Sequence, residues 1–112
     1  MNRRYCLTLD LKNDPELIAE YCRQHEQVWP DVLRSLRDAG IVDAEIYLRG
    51  TRLVMTLDVG PDFSFDAKAA ADAANPIVRQ WEELMWRFQQ PLPDAPAGEK
   101  WQLMQRIFQL NT

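Results

Sequence analysis

The chain contains a single histidine, His25, with Tyr21 one helical turn before it and Trp29 one turn after. Imidazole, with an unperturbed pKa of about 6.5, both gives and takes a proton near neutrality. Phenol, imidazole and indole in one row offer a proton shuttle beside an aromatic wall. A lone histidine on an apolar stripe is by default a core residue, and Tyr21 or Trp29 alone reads as packing. The three together mark a candidate for acid–base chemistry. Pro30 follows directly. Inside a helix it removes one backbone bond and crowds the carbonyl of Glu26, so the spacing predicts a kink there. The carbonyl so freed would accept a hydrogen bond from a bound hydroxyl close to His25.

A second constellation is Trp81-Glu82-Glu83-Leu84-Met85-Trp86. Indole faces are platforms for the apolar sides of sugar rings, and carboxylates fix hydroxyls. Trp81 and Glu82 are therefore candidate substrate contacts, although a Trp and Met stripe at this spacing also serves as ordinary core, and paired glutamates as a solvated face. With one histidine and no cysteine pair at ligand spacing, the sequence offers no convincing metal site. It has no glycine-rich phosphate loop and no nucleophile elbow.

These residues need elements to hold them. Tyr5 to Asp10 alternates and is rich in strand formers, which predicts a first strand. Asp14 before Pro15 is a helix start, with Asp14 as the cap and Pro15 at the first helical position. At helical period, Leu17, Tyr21, His25, Val28 and Val32 fall within about 80° of arc on one face. The expected helix runs on to Asp38 and stops before Gly40. Ala44 to Arg49 and Arg52 to Val59 read as a hairpin turning at Gly50-Thr51. A second helical region begins at Ser64 and breaks at Asn75-Pro76, where Asn75 caps the segment carrying Val78, Trp81, Leu84, Met85 and Phe88. Gln90 to Gly98 holds three prolines and reads as a loop, and Trp101 to Leu110 as a final strand.

The order is β-α-β-β-α-β, an α+β fold of the ferredoxin-like split βαβ type, with a four-stranded antiparallel sheet and two helices on one face. The strands carry large groups on both sides: Leu53, Met55 and Leu57 against Val54, and Met104 and Phe108 against Leu103 and Ile107. A sheet apolar on both faces needs a second cover, and the simplest is a homodimer closed through the sheet face into a barrel.

Composition sets the outer bounds. The 112 residues are one domain's worth, with 46% apolar and 27% charged residues, an ordinary globular balance. A net charge of -4 with scattered Lys and Arg argues against a nucleic-acid partner. No apolar run approaches the roughly 20 residues of a membrane span. The start meets a charge too soon for a secretory signal, and Cys6 and Cys22 read as two reduced thiols. The expectation is a cytoplasmic protein.

The run Tyr21-Cys22-Arg23-Gln24-His25-Glu26-Gln27-Val28-Trp29-Pro30-Asp31-Val32-Leu33 matches the pattern Tyr-x3-His-x3-Trp-Pro-[Asp/Glu]-x-Leu and resembles the L-rhamnose mutarotase family. Ile46-Tyr47-Leu48 matches that family's second strand and the Trp81 region its second helix, so the likeness spans nearly the whole chain. The resemblance implies a dimeric ferredoxin-like α/β barrel and a cofactor-free enzyme that interconverts the α and β anomers of a 6-deoxy-L-hexose. It places His25 on the catalytic histidine, Tyr21 on a substrate-contacting tyrosine, and Trp81 on the first of two sugar-contacting tryptophans. The second of these is Glu82 here, and Ala44 stands where the family has a tyrosine. One aromatic fewer and one carboxylate more make the pocket roomier and more polar. The segment Met85-Trp86-Arg87-Phe88-Gln89-Gln90-Pro91, followed by Gly98-Glu99-Lys100-Trp101, looks like the branch associated with L-fucose. Two other functions share the expected fold: a haem-degrading monooxygenase and a non-catalytic ligand-binding barrel. Neither accounts for the Tyr-x3-His-x3-Trp-Pro run.

Overall fold

The computed structural model describes residues 3–111. Its elements are β1 (Arg3–Leu11), α1 (Pro15–Gln24), α2 (Pro30–Asp38), β2 (Ile41–Arg49), β3 (Arg52–Val59), α3 (Phe65–Ala74), α4 (Pro76–Trp86), β4 (Gln89–Gln90) and β5 (Gln102–Leu103). This is a small α+β fold with an antiparallel sheet in the order β2-β3-β1-β4, and β5 also pairs with β1.

Helices α1, α3 and α4 begin where the sequence predicts. Asp14 accepts from the backbone N–H groups of Glu16 and Leu17, and Asn75 from those of Ile77 and Val78. Each satisfies donors that a helix start leaves orphaned, and each is followed by a proline at the first position. The expected long helix is broken rather than kinked. Residues 25–29 separate α1 from α2, and the last of them, Trp29, is held extended at φ -56° and ψ 136° by the proline after it. Pro30 thereby sits at a helix start, where its missing N–H costs nothing, and no strained Glu26 carbonyl arises inside a helix. The second helical region divides at Asn75-Pro76, as the sequence predicts, into α3 and α4.

Strand pairing fixes which side chains reach the core. Leu7 faces Met55 and Leu9 faces Leu53, so the odd-numbered residues of β1 and β3 share one side of the sheet. Leu9, Leu53 and Val59 are fully buried there. Two clusters form beneath the helices. Leu11, Tyr21, Val32, Leu53, Trp81, Met85 and Phe88 make one, and Leu7, Ile41, Leu57, Val59 and Phe63 the other.

The opposite face is more polar than its alternation promised. Arg4, Cys6, Thr8, Asp10, Val54, Thr56 and Asp58 fall on it by parity, with ion pairs between Arg4 and Asp58 and between Arg52 and Asp10. The expected final strand is shorter than the run from Trp101 to Leu110, because only Gln102–Leu103 pairs with β1. Gln89–Gln90 pairs with the same edge further along, at Asp10 and Leu11. After the Met104 N–H, which donates to the Cys6 carbonyl at 2.8 Å, the segment leaves the sheet. It carries Ile107, Phe108 and Leu110 exposed. No described helix is long and apolar enough to cross a membrane.

Candidate active site

His25 lies at the C-terminal end of α1, one residue past the last helical position. Its backbone N–H turns back to the Cys22 carbonyl at 3.1 Å, which leaves the Tyr21 carbonyl without its usual partner four residues on. The imidazole takes that place: Nδ1 lies 2.8 Å from the Tyr21 carbonyl oxygen. A carbonyl only accepts, so Nδ1 carries the proton and Nε2 holds the free lone pair in the neutral ring. The end of the helix therefore selects the tautomer of the one histidine.

Around this ring the aromatic side chains converge from three segments. The Tyr21 ring lies 4.4 Å away, centroid to centroid, and the Trp81 indole 5.6 Å away with its plane nearly perpendicular. Trp29 packs edge-on against Trp81 at 5.2 Å. The sequence expectation joined Trp29 to His25 through one continuous helical face. The structure joins them instead through Trp81, from the bend between α1 and α2. Tyr21 and Trp81 are buried, whereas His25 and Trp29 are half-buried, so the imidazole stands at the boundary of the core.

Tyr21 carries a buried phenol. Burial pushes its phenol up to about 12, the negative charge of Glu82 acts in the same direction, and a hydrogen bond from Gln89 opposes both. The phenol is therefore protonated throughout the neutral range and serves as a hydrogen-bond donor rather than a base. Gln89 supplies that bond through Nε2, 3.3 Å from the Tyr21 Oη.

Glu82 stands apart from the rings. Its carboxylate is paired with Lys100 Nζ, which also lies 5.1 Å from the Trp86 ring centroid. Glu82 also lines a hollow with Val78, Arg79 and Trp86 on the outer side of α4. It touches the site electrostatically, through the charge felt at Tyr21, and this pairing ties the proline-rich loop before β5 to α4. A separate groove of about 530 Å³, lined by Asp31, Arg34, Ser35, Lys68 and Asn75, runs between α2 and α3 and contains none of the five expected residues.

The structure thus brings His25, Tyr21, Trp81 and Trp29 together and sets Glu82 at their edge. Gln89 and Lys100 were not among the expected site residues. Lys100 has no local signal. Gln89 lies four residues after Met85 on the apolar stripe of α4, but the helix ends at Trp86, so only the pairing of β4 with β1 turns it inward.

Comparison with known proteins gives this arrangement its context. The L-rhamnose mutarotase family matches residues 4–110. An L-fucose mutarotase from Xanthomonas campestris pv. campestris is 50% identical over 97% of this chain and 89% of its own length. An L-rhamnose mutarotase from Acidiphilium cryptum is 32% identical over 87% of this chain and 89% of its own. The crystal structure of an L-rhamnose mutarotase from Formosa agariphila superimposes with a TM-score of 0.70 over 96% of this chain and 98% of the other, at 22% identity, a likeness of fold. With a match across nearly its whole length, the chain belongs to the L-rhamnose mutarotase family of isomerases, which act on sugar anomers.

Proposed function

We propose that the protein interconverts the α and β anomers of a 6-deoxy-L-hexose, L-fucose first and L-rhamnose next, with His25 as the acid–base group. The observation that carries this reading is the imidazole whose Nδ1 is committed to the Tyr21 carbonyl while its ring stands between Tyr21 and Trp81. Mutarotation breaks the bond between C1 and the ring oxygen, turns the aldehyde about the C1–C2 bond, and closes the ring on the other face. A proton leaves the anomeric hydroxyl and another arrives at the ring oxygen. Both oxygens sit on C1, so one nitrogen, His25 Nε2, reaches each in turn. The neutral Tyr21 phenol donates to a sugar oxygen, and Trp81 with Trp29 offers an apolar wall for the ring. Glu82 belongs to the substrate-binding set through its charge, which is felt at Tyr21. A single positioned acid–base group contributes typically 10²–10⁴-fold, and the chemistry needs no cofactor.

L-fucose takes precedence because of the 50% identity to the Xanthomonas protein named for that sugar, together with the segments 85–91 and 98–101. The strand order, with β4 and β5 on the outer edge of β1, supports reading the fold as ferredoxin-like. A homodimeric barrel through the sheet is part of the same reading. Its support now lies less on the open face than on the uncovered apolar run from Met104 to Leu110 beside it. Sedimentation of the intact chain tests this. We place the activity in the cytoplasm on a free monosaccharide, without nucleic acid or membrane, a reading supported by the net charge of -4.

Anomer exchange measured by saturation-transfer NMR on L-fucose, L-rhamnose and D-galactose tests the function. The wild-type chain accelerates exchange of a 6-deoxy-L-hexose above the buffer rate, and His25→Ala does not. Undiminished exchange in His25→Ala removes the histidine from the mechanism.

A further inference from the structure

Gln89 is 3% exposed, and its side-chain Oε1 is buried with no hydrogen-bond partner among the described residues. A buried polar atom left unmet is costly, and folded proteins keep few of them. This one has a specific neighbourhood. Gln89 pairs with Leu11 across β4 and β1, so its side chain shares the helix-covered side of the sheet with Leu11. There its Nε2 donates to Tyr21 Oη at 3.3 Å, and the Tyr21 ring in turn packs on His25.

The valences around this contact are unbalanced in a particular way. The phenol accepts from Gln89 and remains protonated, so its own O–H still needs an acceptor, and none is found among the described residues. The amide oxygen beside it still needs a donor. One spare donor and one spare acceptor are thus adjacent, separated by a single amide carbon and one hydrogen bond. A hydroxyl group is both donor and acceptor and completes the pair. It accepts from Tyr21 and donates to Gln89 Oε1, closing a ring of three hydrogen bonds. An ammonium or a carboxylate satisfies only one of the two. Turning the amide over exchanges its two heteroatoms and leaves nitrogen as the unmet atom, and a hydroxyl remains the complement.

We propose that Gln89 is a specificity-determining residue that, together with Tyr21, reads one ring hydroxyl of the sugar. This rests on the mutarotase reading above. L-fucose and L-rhamnose carry the same ring and the same methyl group and differ in the configuration of the hydroxyls at C2 and C4. A buried donor–acceptor pair discriminates such diastereomers strongly, because the wrong configuration leaves both protein groups unmet. Oε1 is closed off in the free chain, so the hydroxyl enters as the residues over it give way. Gln89 handles no proton of the reaction, and its effect falls on the choice between sugars.

The test compares the acceleration of anomer exchange for L-fucose and L-rhamnose in wild type and in Gln89→Met. The expected result is a wild-type preference between the two sugars that shrinks about tenfold or more in Gln89→Met, while the substituted chain keeps its circular dichroism spectrum. A preference unchanged to within about threefold, or a wild type that treats both sugars alike, overturns the proposal. Wild-type protein supplies a second measurement should Gln89→Met not fold. The side-chain amide resonances of Gln89 shift on titration with L-fucose, and an amide unmoved at saturating sugar marks a site for buried water only and overturns the assignment. The two readings fail separately. A wild type that accelerates neither sugar refutes the mutarotase reading, and the amide titration then decides the Gln89 contact on its own.

Discussion

Replacing Tyr21 by Phe keeps the ring and removes one oxygen, and its cost follows from what that oxygen does. Tyr21 is 3% exposed and packs against His25 at 4.4 Å and Phe88 at 6.0 Å, contacts a phenylalanine preserves. The lost Oη is the acceptor for Gln89 Nε2, so both ends of a buried amide become unmet. A net hydrogen bond of this kind is worth about 1 kcal/mol, and a stranded buried donor costs about 1–3 kcal/mol. The bond is long at 3.3 Å, which favours the lower end. Tyr21→Phe is therefore expected to lose about 1–2 kcal/mol, a fall in Tm on the order of 5 °C. Gln89→Met behaves differently. It forfeits the same bond but also removes the unmet Oε1, so its stability stays within about 1 kcal/mol of wild type. The double variant should be no less stable than Gln89→Met alone, giving a coupling of about 1–2 kcal/mol. Urea unfolding of the four proteins at neutral pH and equal chain concentration measures this, since any association adds to the apparent stability. Additivity to within about 0.3 kcal/mol, or a Tyr21→Phe chain as stable as wild type, refutes the account of the buried pair.

Two further outcomes follow from other features. Because burial raises Tyr21 from 10.0 to about 12, the folded chain holds the phenol proton more tightly than the unfolded chain. That contribution is complete below pH 10 and is lost as the pH rises through 12, a loss of up to about 3 kcal/mol. Denaturation along an alkaline series should show it, with Tyr21→Phe flatter than wild type over the same range; parallel curves would contradict the raised phenol. For the apolar run after β5, sedimentation equilibrium should return twice the 13.1 kDa chain mass, and Phe108→Asp, at a position 75% exposed in the single chain, should shift the equilibrium toward monomer without unfolding it. A wild-type monomer at micromolar concentration contradicts the proposed dimer.

Much of the cluster was legible because its signals are local. Tyr21 and His25 are four residues apart, and any helical course over them puts both on one side. The Asp14-Pro15 and Asn75-Pro76 caps likewise announce themselves in two residues. What sequence reasoning missed lies at the ends of segments and in contacts between them. The sequence puts Pro30 inside a helix, but α1 already ends at Gln24, and Pro30 with the extended Trp29 before it opens a new helix instead. The stretch from Trp101 to Leu110 has strand composition, yet it leaves the sheet after Leu103, and because β4 pairs only with Asp10 and Leu11, at the other end of β1, nothing in the single chain explains the departure. Gln89 and Lys100 acquire their contacts only through that same pairing and the return of the loop. Glu82 is a candidate sugar contact because carboxylates fix hydroxyls and because it stands at the family's second tryptophan position, and its pairing with Lys100, from the far end of the loop, has no local signal.

The bond from His25 Nδ1 to the Tyr21 carbonyl separates two kinds of inheritance in this chain. The imidazole is oriented by a carbonyl of its own helix, so everything that aims it is encoded in five consecutive residues. The Trp81 indole and the Gln89 amide near it come from a distant stretch, which makes no hydrogen bond to the imidazole among the described residues. Substitutions in the second stretch reshape the surroundings while the ring stays pointed as before. Under the proposed function, a change of sugar requires changes in the later segment alone, and the histidine that we propose handles the proton keeps its orientation.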